Sequence, residues 1–271
     1  MRDNRCRLHY FGMDLIKKYH FFVSDVHLGL NVCEPVEREK RFVAFLDSLP
    51  PETASLWLMG DIFDFWFEYK YVVPKGYTRV FGSLARLSDS GVNIYFFRGN
   101  HDMWSFGYFE KELGFCTIEQ PHIVRIGDRN FCLGHGDAVG EGDRSYKVLK
   151  WIFNNRFFQW CLKQVHPRWT FSFARRWSKH NRLSKNERYD FREVGKSVID
   201  FAEKFGRENN IDYFIFGHYH APAQIELSYG GKLEMLGEWI NDNDFLLFDI
   251  NTNRIERGHY TFGGNLPNIE R

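Results

Sequence analysis

Short apolar runs recur along this chain, and five of them stop at a glycine or a serine followed by metal-ligand-type side chains. Tyr19 to Val23, Leu56 to Met59, Ile94 to Phe97, Phe131 to Leu133 and Tyr213 to Phe216 each read as a strand. Between them, polar and apolar positions take on helical spacing, from about Pro35 to Leu49 and from Tyr77 to Ser88. Gly91 then leads into the strand that closes at Phe97. Strand–helix–strand alternation predicts right-handed crossovers and largely parallel pairing. Gly127-Asp128 is placed to turn a hairpin, and residues 144 to 188 interrupt the strands with a long helical region. A further helix from about Asp190 to Arg207 returns to the strand at Tyr213. Short runs near 223 to 228, 232 to 236 and 245 to 250, separated by Gly and Asn, predict an antiparallel meander.

A chain of 271 residues can bury a substantial core as one α/β domain. Its formal charge of +1 hides an uneven distribution. Between Arg144 and Arg188 stand twelve Lys or Arg and one acid, Glu187, a net +11; the remaining 24 basic and 34 acidic residues carry −10. A basic block on an acidic body fits an anionic partner, whether phosphate, nucleic acid or lipid head group. Cys6, Cys33, Cys116, Cys132 and Cys161 are odd in number and widely spaced, which predicts free thiols in a reducing compartment. No apolar run approaches the roughly 18 to 20 residues that span a bilayer, and no signal-peptide pattern opens the chain. A cytoplasmic protein is expected. Residues 1 to 12 read as an irregular leader, with Met13 a candidate alternative start.

The polar residues after the five strands are Asp25-Val-His27, Gly60-Asp61, Gly99-Asn100-His101-Asp102, Gly134-His135-Gly136-Asp137 and Gly217-His218-Tyr219-His220. In parallel sheets such residues gather beyond the carboxyl ends of the strands, at one edge. Asp25 and His27 are two apart, so in extended chain they face the same way. Gly60 permits a sharp turn that brings Asp61 to a central position, where one carboxylate can bridge two cations. Asn100 offers an amide oxygen; His135, His218 and His220 offer imidazoles, donors suited to Mn, Fe or Zn more than to Mg or Ca. With Asp25 and Asp61 as the only charged ligands, two divalent ions leave a net positive site that favours a phosphate diester or pyrophosphate. Taken singly, an Asp at a strand end is usually a cap and a His usually a hydrogen-bonded surface or core residue. Gly-His-x-His also fits a mononuclear zinc fragment. Five such turns in one chain need a common cause, and a two-metal hydrolase supplies it.

The order Asp-x-His, Gly-Asp, Gly-Asn-His, Gly-His, Gly-His-x-His, over residues 20 to 220, resembles the calcineurin-like metallophosphoesterase superfamily. That resemblance implies an α/β sandwich of two mixed sheets flanked by helices. It places Asp25, His27, Asp61 and His220 on one divalent ion, and Asp61, Asn100, His135 and His218 on the other. Asp61 and His101 become the catalytic candidates, His101 contacting the phosphate and helping the leaving oxygen. Residues 13 to 271 would form the phosphoesterase domain, with 141 to 190 inserted as a helical lid.

The insertion also carries ten aromatics: Tyr146, Trp151, Phe153, Phe157, Phe158, Trp160, Trp169, Phe171, Phe173 and Trp177. They cover more than one helix face, implying burial on one side and an apolar partner on another. Basic residues with Trp and Phe mark helices lying on anionic membranes. A helical hairpin packed on the core, and nucleic-acid binding by stacking aromatics, remain alternatives. His135-Gly136-Asp137-x5-Asp143-x2-Tyr146, Ser178-Lys179 with Lys185, Ser24-Asp25-x-His27-Leu28-Gly29 and Leu236-Gly237-x-Trp239 resemble the UDP-2,3-diacylglucosamine diphosphatase family of lipid A biosynthesis. By that match the lid holds acyl chains, and Asp143, Ser178, Asn181, Arg182 and Lys185 contact substrate. The cofactors implied are two Mn ions; the partners are a lipid-linked UDP-sugar and, peripherally, the anionic inner-membrane surface. No nucleic acid or obligate protein partner is expected. His101 stands where better-known members have Arg, so a general phosphodiesterase or nucleotide pyrophosphatase with another substrate stays open.

Overall fold

The computed structural model describes residues 17–137, 139, 151–153, 155–173, 176, 191–263 and 266. The first half runs β1 (Tyr19–Val23), α1 (Pro35–Ser48), β2 (Thr53–Leu58), α2 (Thr78–Asp89), β3 (Asn93–Phe97), α3 (Tyr108–Leu113), β4 (Cys116–Ile118), β5 (His122–Ile126) and β6 (Arg129–Leu133). There follow α4 (Arg156–Gln164), α5 (Phe191–Val194), α6 (Lys196–Asn209), β7 (Tyr213–Phe216), β8 (Ala223–Glu226), β9 (Lys232–Met235), β10 (Asp244–Asp249) and β11 (Arg254–His259). One sheet has the order β11-β10-β1-β2-β3-β4 and the other β5-β6-β7-β9-β8. The β1–β2–β3–β4 and β6–β7–β9 pairings are parallel and the rest antiparallel, so both sheets are mixed.

The central strands, such as β1, β2, β7 and β10, read as near-continuous apolar runs because both faces are covered. Phe21, Leu56, Leu58, Ile94, Phe96, Phe245 and Leu247 face an outer core against α1, α2 and α3. Their neighbours Phe22, Trp57, Phe97, Leu246 and Phe248 meet Phe131, Leu133, Tyr213 and Ile215 between the sheets. Cys132, Phe214 and Phe216 turn the other way, onto Val198 and Ala202 of α6. The period-two alternation of strand side chains thus builds a four-layer sandwich, helix, sheet, sheet, helix. In α1, Pro35 opens the helix, and Arg38, Phe42, Phe45 and Leu46 form its buried stripe.

Three expectations need correction, and one strand was not expected at all. The terminal strands are not one meander: β8 and β9 pair antiparallel in the second sheet, while β10 crosses to the first and lies antiparallel to β1. Its unbroken apolar run suits a central position and not a solvated hairpin. The edge strand β11 carries Arg254, Glu256, Arg257 and His259, a polar pattern that hides it in sequence. The helix expected over 190 to 207 is two helices, parted at Gly195, where a side chain would collide with the ring of Phe191. Finally, Cys33, Cys132 and Cys161 are free thiols, but Cys116 is disulfide-bonded.

The leader 1 to 12 and much of the insertion lie outside the described residues. Within the insertion, helical turns at 151–153 and 167–173 flank α4. Phe153 and Leu162 pack on a cluster of Phe67, Met103 and Trp104. Trp104 Nε1 donates to the Phe153 carbonyl at 3.1 Å, and Tyr69 OH to Thr170 Oγ1 at 2.9 Å.

Candidate metal centre

Pairing does not stop where the strands do. Asp25 N donates to Gly60 O (3.1 Å), His27 N to Asp61 O (3.0 Å) and Leu28 N to Ile62 O (2.9 Å), so the loops after β1 and β2 travel side by side. Gly217 N donates to His135 O at 2.8 Å, joining the loops after β6 and β7 in the same manner. His218 N donates to Asp25 Oδ2 at 2.9 Å and ties the two sheets together. Asp25, His27, Asp61, His218 and His220 have φ of 54°, 48°, 52°, 71° and 54°. Each of these left-handed, non-glycine residues costs about 1–3 kcal/mol, a strain characteristic of functional sites.

Side chains converge accordingly. His220 Nε2 lies 3.3 Å and His27 Nε2 3.6 Å from Asp25 Oδ1, a buried oxygen with no hydrogen-bond partner. Asp61 Oδ2 is 3.5 Å from His135 Nε2 and 3.9 Å from the Nε2 atoms of both His27 and His101. Asp25, His27 and His220 can offer ligand atoms within 4.8 Å of one another, and so can Asp61, His135 and His218. A third trio meeting that limit, His27, Asp64 and His101, brings in a carboxylate that sequence reasoning passed over.

The tautomers fit cations. His135 Nδ1 donates to the Met59 carbonyl at 2.9 Å, which leaves the Nε2 lone pair of the neutral ring facing Asn100 Oδ1 at 3.4 Å and Asp61 Oδ2. Three acceptors then face one another, and either a proton or a metal ion has to sit among them. Burial opposes charge on Asp25 and Asp61, yet His220 beside the first and His135 and His101 beside the second hold both carboxyls well below the usual range. Burial would lower His135, but the Asp61 carboxylate overrides it and raises the ring to about 10. Burial takes His218 down to about 4. A proton on His135 is therefore the countercharge to two buried carboxylates, and a divalent ion binding there would displace it.

Asp102 has another task. Fully buried, it accepts from Gly99 N and Ile62 N (both 2.8 Å), Phe63 N and Asp61 N (both 3.3 Å), clamping the Asp61 turn to the Asn100 turn. Burial and the charge of Asp61 push its carboxyl up to about 7. His101 N donates to Asp61 Oδ1 at 2.8 Å, and its ring Nδ1 to the Asp64 carbonyl at 2.8 Å, so Nε2 looks into the site. Gln120 Oε1 accepts from His135 N and Gly136 N, fixing the third turn. Asp64 lies three residues beyond Asp61, and Glu238 fills the open position of Leu236-Gly237-x-Trp239; those spacings were the available signals. Asp143, Ser178, Asn181, Arg182 and Lys185 lie outside the described residues.

The chain is similar to known proteins. The calcineurin-like phosphoesterase family profile matches residues 21–222. A UDP-2,3-diacylglucosamine hydrolase of Porphyromonas gingivalis is 36% identical over 247 residues, covering 86% of this chain and 94% of its own length. A protein of the same name from Pseudomonas aeruginosa is 26% identical over 241 residues, covering 86% of this chain and 96% of its own. Among solved structures, vacuolar protein sorting 29 from Cryptosporidium parvum covers 89% of this chain and 96% of its own, with a TM-score of 0.43 at 13% identity.

Proposed function

Since the chain belongs to the calcineurin-like phosphoesterase family and is a metal-dependent hydrolase, we propose that it cleaves the pyrophosphate of UDP-2,3-diacylglucosamine to UMP and 2,3-diacylglucosamine 1-phosphate, a step of lipid A biosynthesis. The observation that carries the substrate is similarity along nearly the whole length of relatives bearing that hydrolase name. Two divalent ions, Mn in our reading, would be held by Asp25, His27, Asp61 and His220 and by Asp61, Asn100, His135 and His218. When bound, such ions stabilise charge on phosphoryl oxygens and acidify a water.

The residues themselves supply placement. Asp61 stands between the two imidazole groups, and the backbone N–H groups that donate to the Asp102 carboxylate keep it there. His101, with Nδ1 committed to a carbonyl, presents only Nε2 to a phosphoryl oxygen and can deliver a proton from that atom. The partner is a lipid-linked UDP-sugar at the cytoplasmic face of an anionic inner membrane. Exposed Trp151, Phe157, Trp160, Trp169 and Phe173 among Arg156, Lys163 and Arg168 support peripheral contact there. No helix of the described residues is long and apolar enough to cross a membrane.

The reaction is tested by incubating the chain with UDP-2,3-diacylglucosamine and Mn and identifying products by mass. UMP and the lipid sugar phosphate are expected, with Asp61→Ala at least about 100-fold slower. Turnover of unacylated UDP-sugars or small phosphodiesters without release of UMP from the acylated substrate would sink the assignment.

A further inference from the structure

His220 stands between two carboxylates. On the site side its Nε2 lies 3.3 Å from Asp25 Oδ1; on the outer side its Nδ1 lies 3.7 Å from Glu238 Oε2. Glu238 sits in the turn between β9 and β10, and only 7% of it is exposed. The turn is firmly held. Trp239 N donates to Asp25 O at 3.1 Å, and its fully buried indole packs edge-on against Phe42 and Phe45 at 5.0 and 5.1 Å between ring centres. Gly237 N donates to Asp244 Oδ2, which also pairs with Arg257 Nη1, both at 2.6 Å. Oε2, the oxygen facing His220, is held by Ile240 N at 3.3 Å, while the other oxygen, Oε1, accepts from Asn241 Nδ2 at 2.7 Å.

We infer that Glu238 is a positioning residue that fixes the proton of His220 on Nδ1, so that Nε2 presents its lone pair toward Asp25 and His27. The inference rests on the proposed metal site. His220 needs such help more than His135, whose Nδ1 has a backbone carbonyl as its acceptor. His220 is also strained at φ 54° and about a third exposed, with its ring stacked on that of His27 at 5.1 Å between centres. A carboxylate behind a ligating imidazole sets its tautomer and raises its basicity.

The test is Mn(II) titration by calorimetry of the whole chain, stripped with a chelator, comparing wild type with Glu238→Gln and Asn241→Ala. The glutamine keeps the shape and an acceptor for the turn; the alanine removes the turn's hydrogen bond and leaves the carboxylate facing His220. Glu238→Gln is expected to weaken one binding step about 10–100-fold and leave the other unchanged, while Asn241→Ala stays within a few-fold of wild type. Wild-type affinity in Glu238→Gln, or an equal loss in Asn241→Ala, overturns the role. A wild-type chain that takes one ion refutes the paired-ion reading, and the affinity of that ion in Glu238→Gln still decides for or against Glu238.

Discussion

Gly60 has a φ of 94°, and a Cβ there would stand 2.6 Å from Nδ1 of His135. The same nitrogen is committed to Met59 O, so it cannot retreat without losing its acceptor. Gly60→Ala should therefore destabilise the fold by about 1–3 kcal/mol through backbone strain and also turn His135 away. Urea unfolding and Mn titration of the variant should both register the change; an affinity like that of wild type would show that His135 can re-seat. At this scale the sequence was informative about glycines and ligand types, since only a few residues tolerate a sharp turn and bind a cation. It was not informative about carboxylates used as scaffold. Asp102 was in view beside Asn100 and His101, but nothing in its spacing distinguishes a metal ligand from an acceptor of four backbone N–H groups. The left-handed conformation of five candidate ligands was equally hidden, because it is imposed by pairing between distant loops.

Helix α4 shows two faces. Leu162 packs toward the body, whereas Phe157 and Trp160, stacked 6.2 Å apart, are 64% and 59% exposed. Burying each large side chain in an apolar phase is worth about 1.5–3 kcal/mol. Phe157→Ala with Trp160→Ala should then cut partition onto vesicles of anionic phospholipid by tenfold or more, and slow cleavage of the acylated substrate. Hydrolysis of a small chromogenic phosphodiester should hold; equal losses on both substrates would mean that the helix merely supports the fold. The stripes of aromatics were visible in sequence, but not which stripe faces inward. That choice depends on Phe67, Met103 and Trp104, which lie far away along the chain. Helix ends and strands with strong local signals, such as α1 and β1, were read nearly to the residue. The polar edge strand β11 and the break at Gly195 were missed because neither has a strong local signature.

Across the whole molecule, acid sensitivity has a traceable contribution from His20. Its Nδ1 meets Ser55 Oγ at 2.6 Å, and burial lowers the ring to about 4 from the ordinary 6.5. The unfolded chain thus binds the extra proton first, and the native state loses stability as pH falls from 6.5 to 4, by at most about 3 kcal/mol. Below that window this contribution is flat. His20→Gln should reduce the slope between those limits in urea midpoints measured against pH, leaving the share of the likewise buried His218; an unchanged slope would assign it to other groups. Parallel pairing was legible from strand–helix alternation and the two-sheet sandwich from the family resemblance, yet the crossing of β10 to the first sheet was not, because local pattern does not specify a partner. That crossing has a consequence for synthesis. β1 waits for β10 as its neighbour on one side, and His218 and His220 emerge almost 200 residues after Asp25. A ribosome-bound chain therefore carries an open edge on β1 until β10 emerges, and half a cation site until His218 and His220 do. The complete cation site therefore forms only after both sheets have their central strands, and an unpaired β1 edge is open to other strands in the meantime.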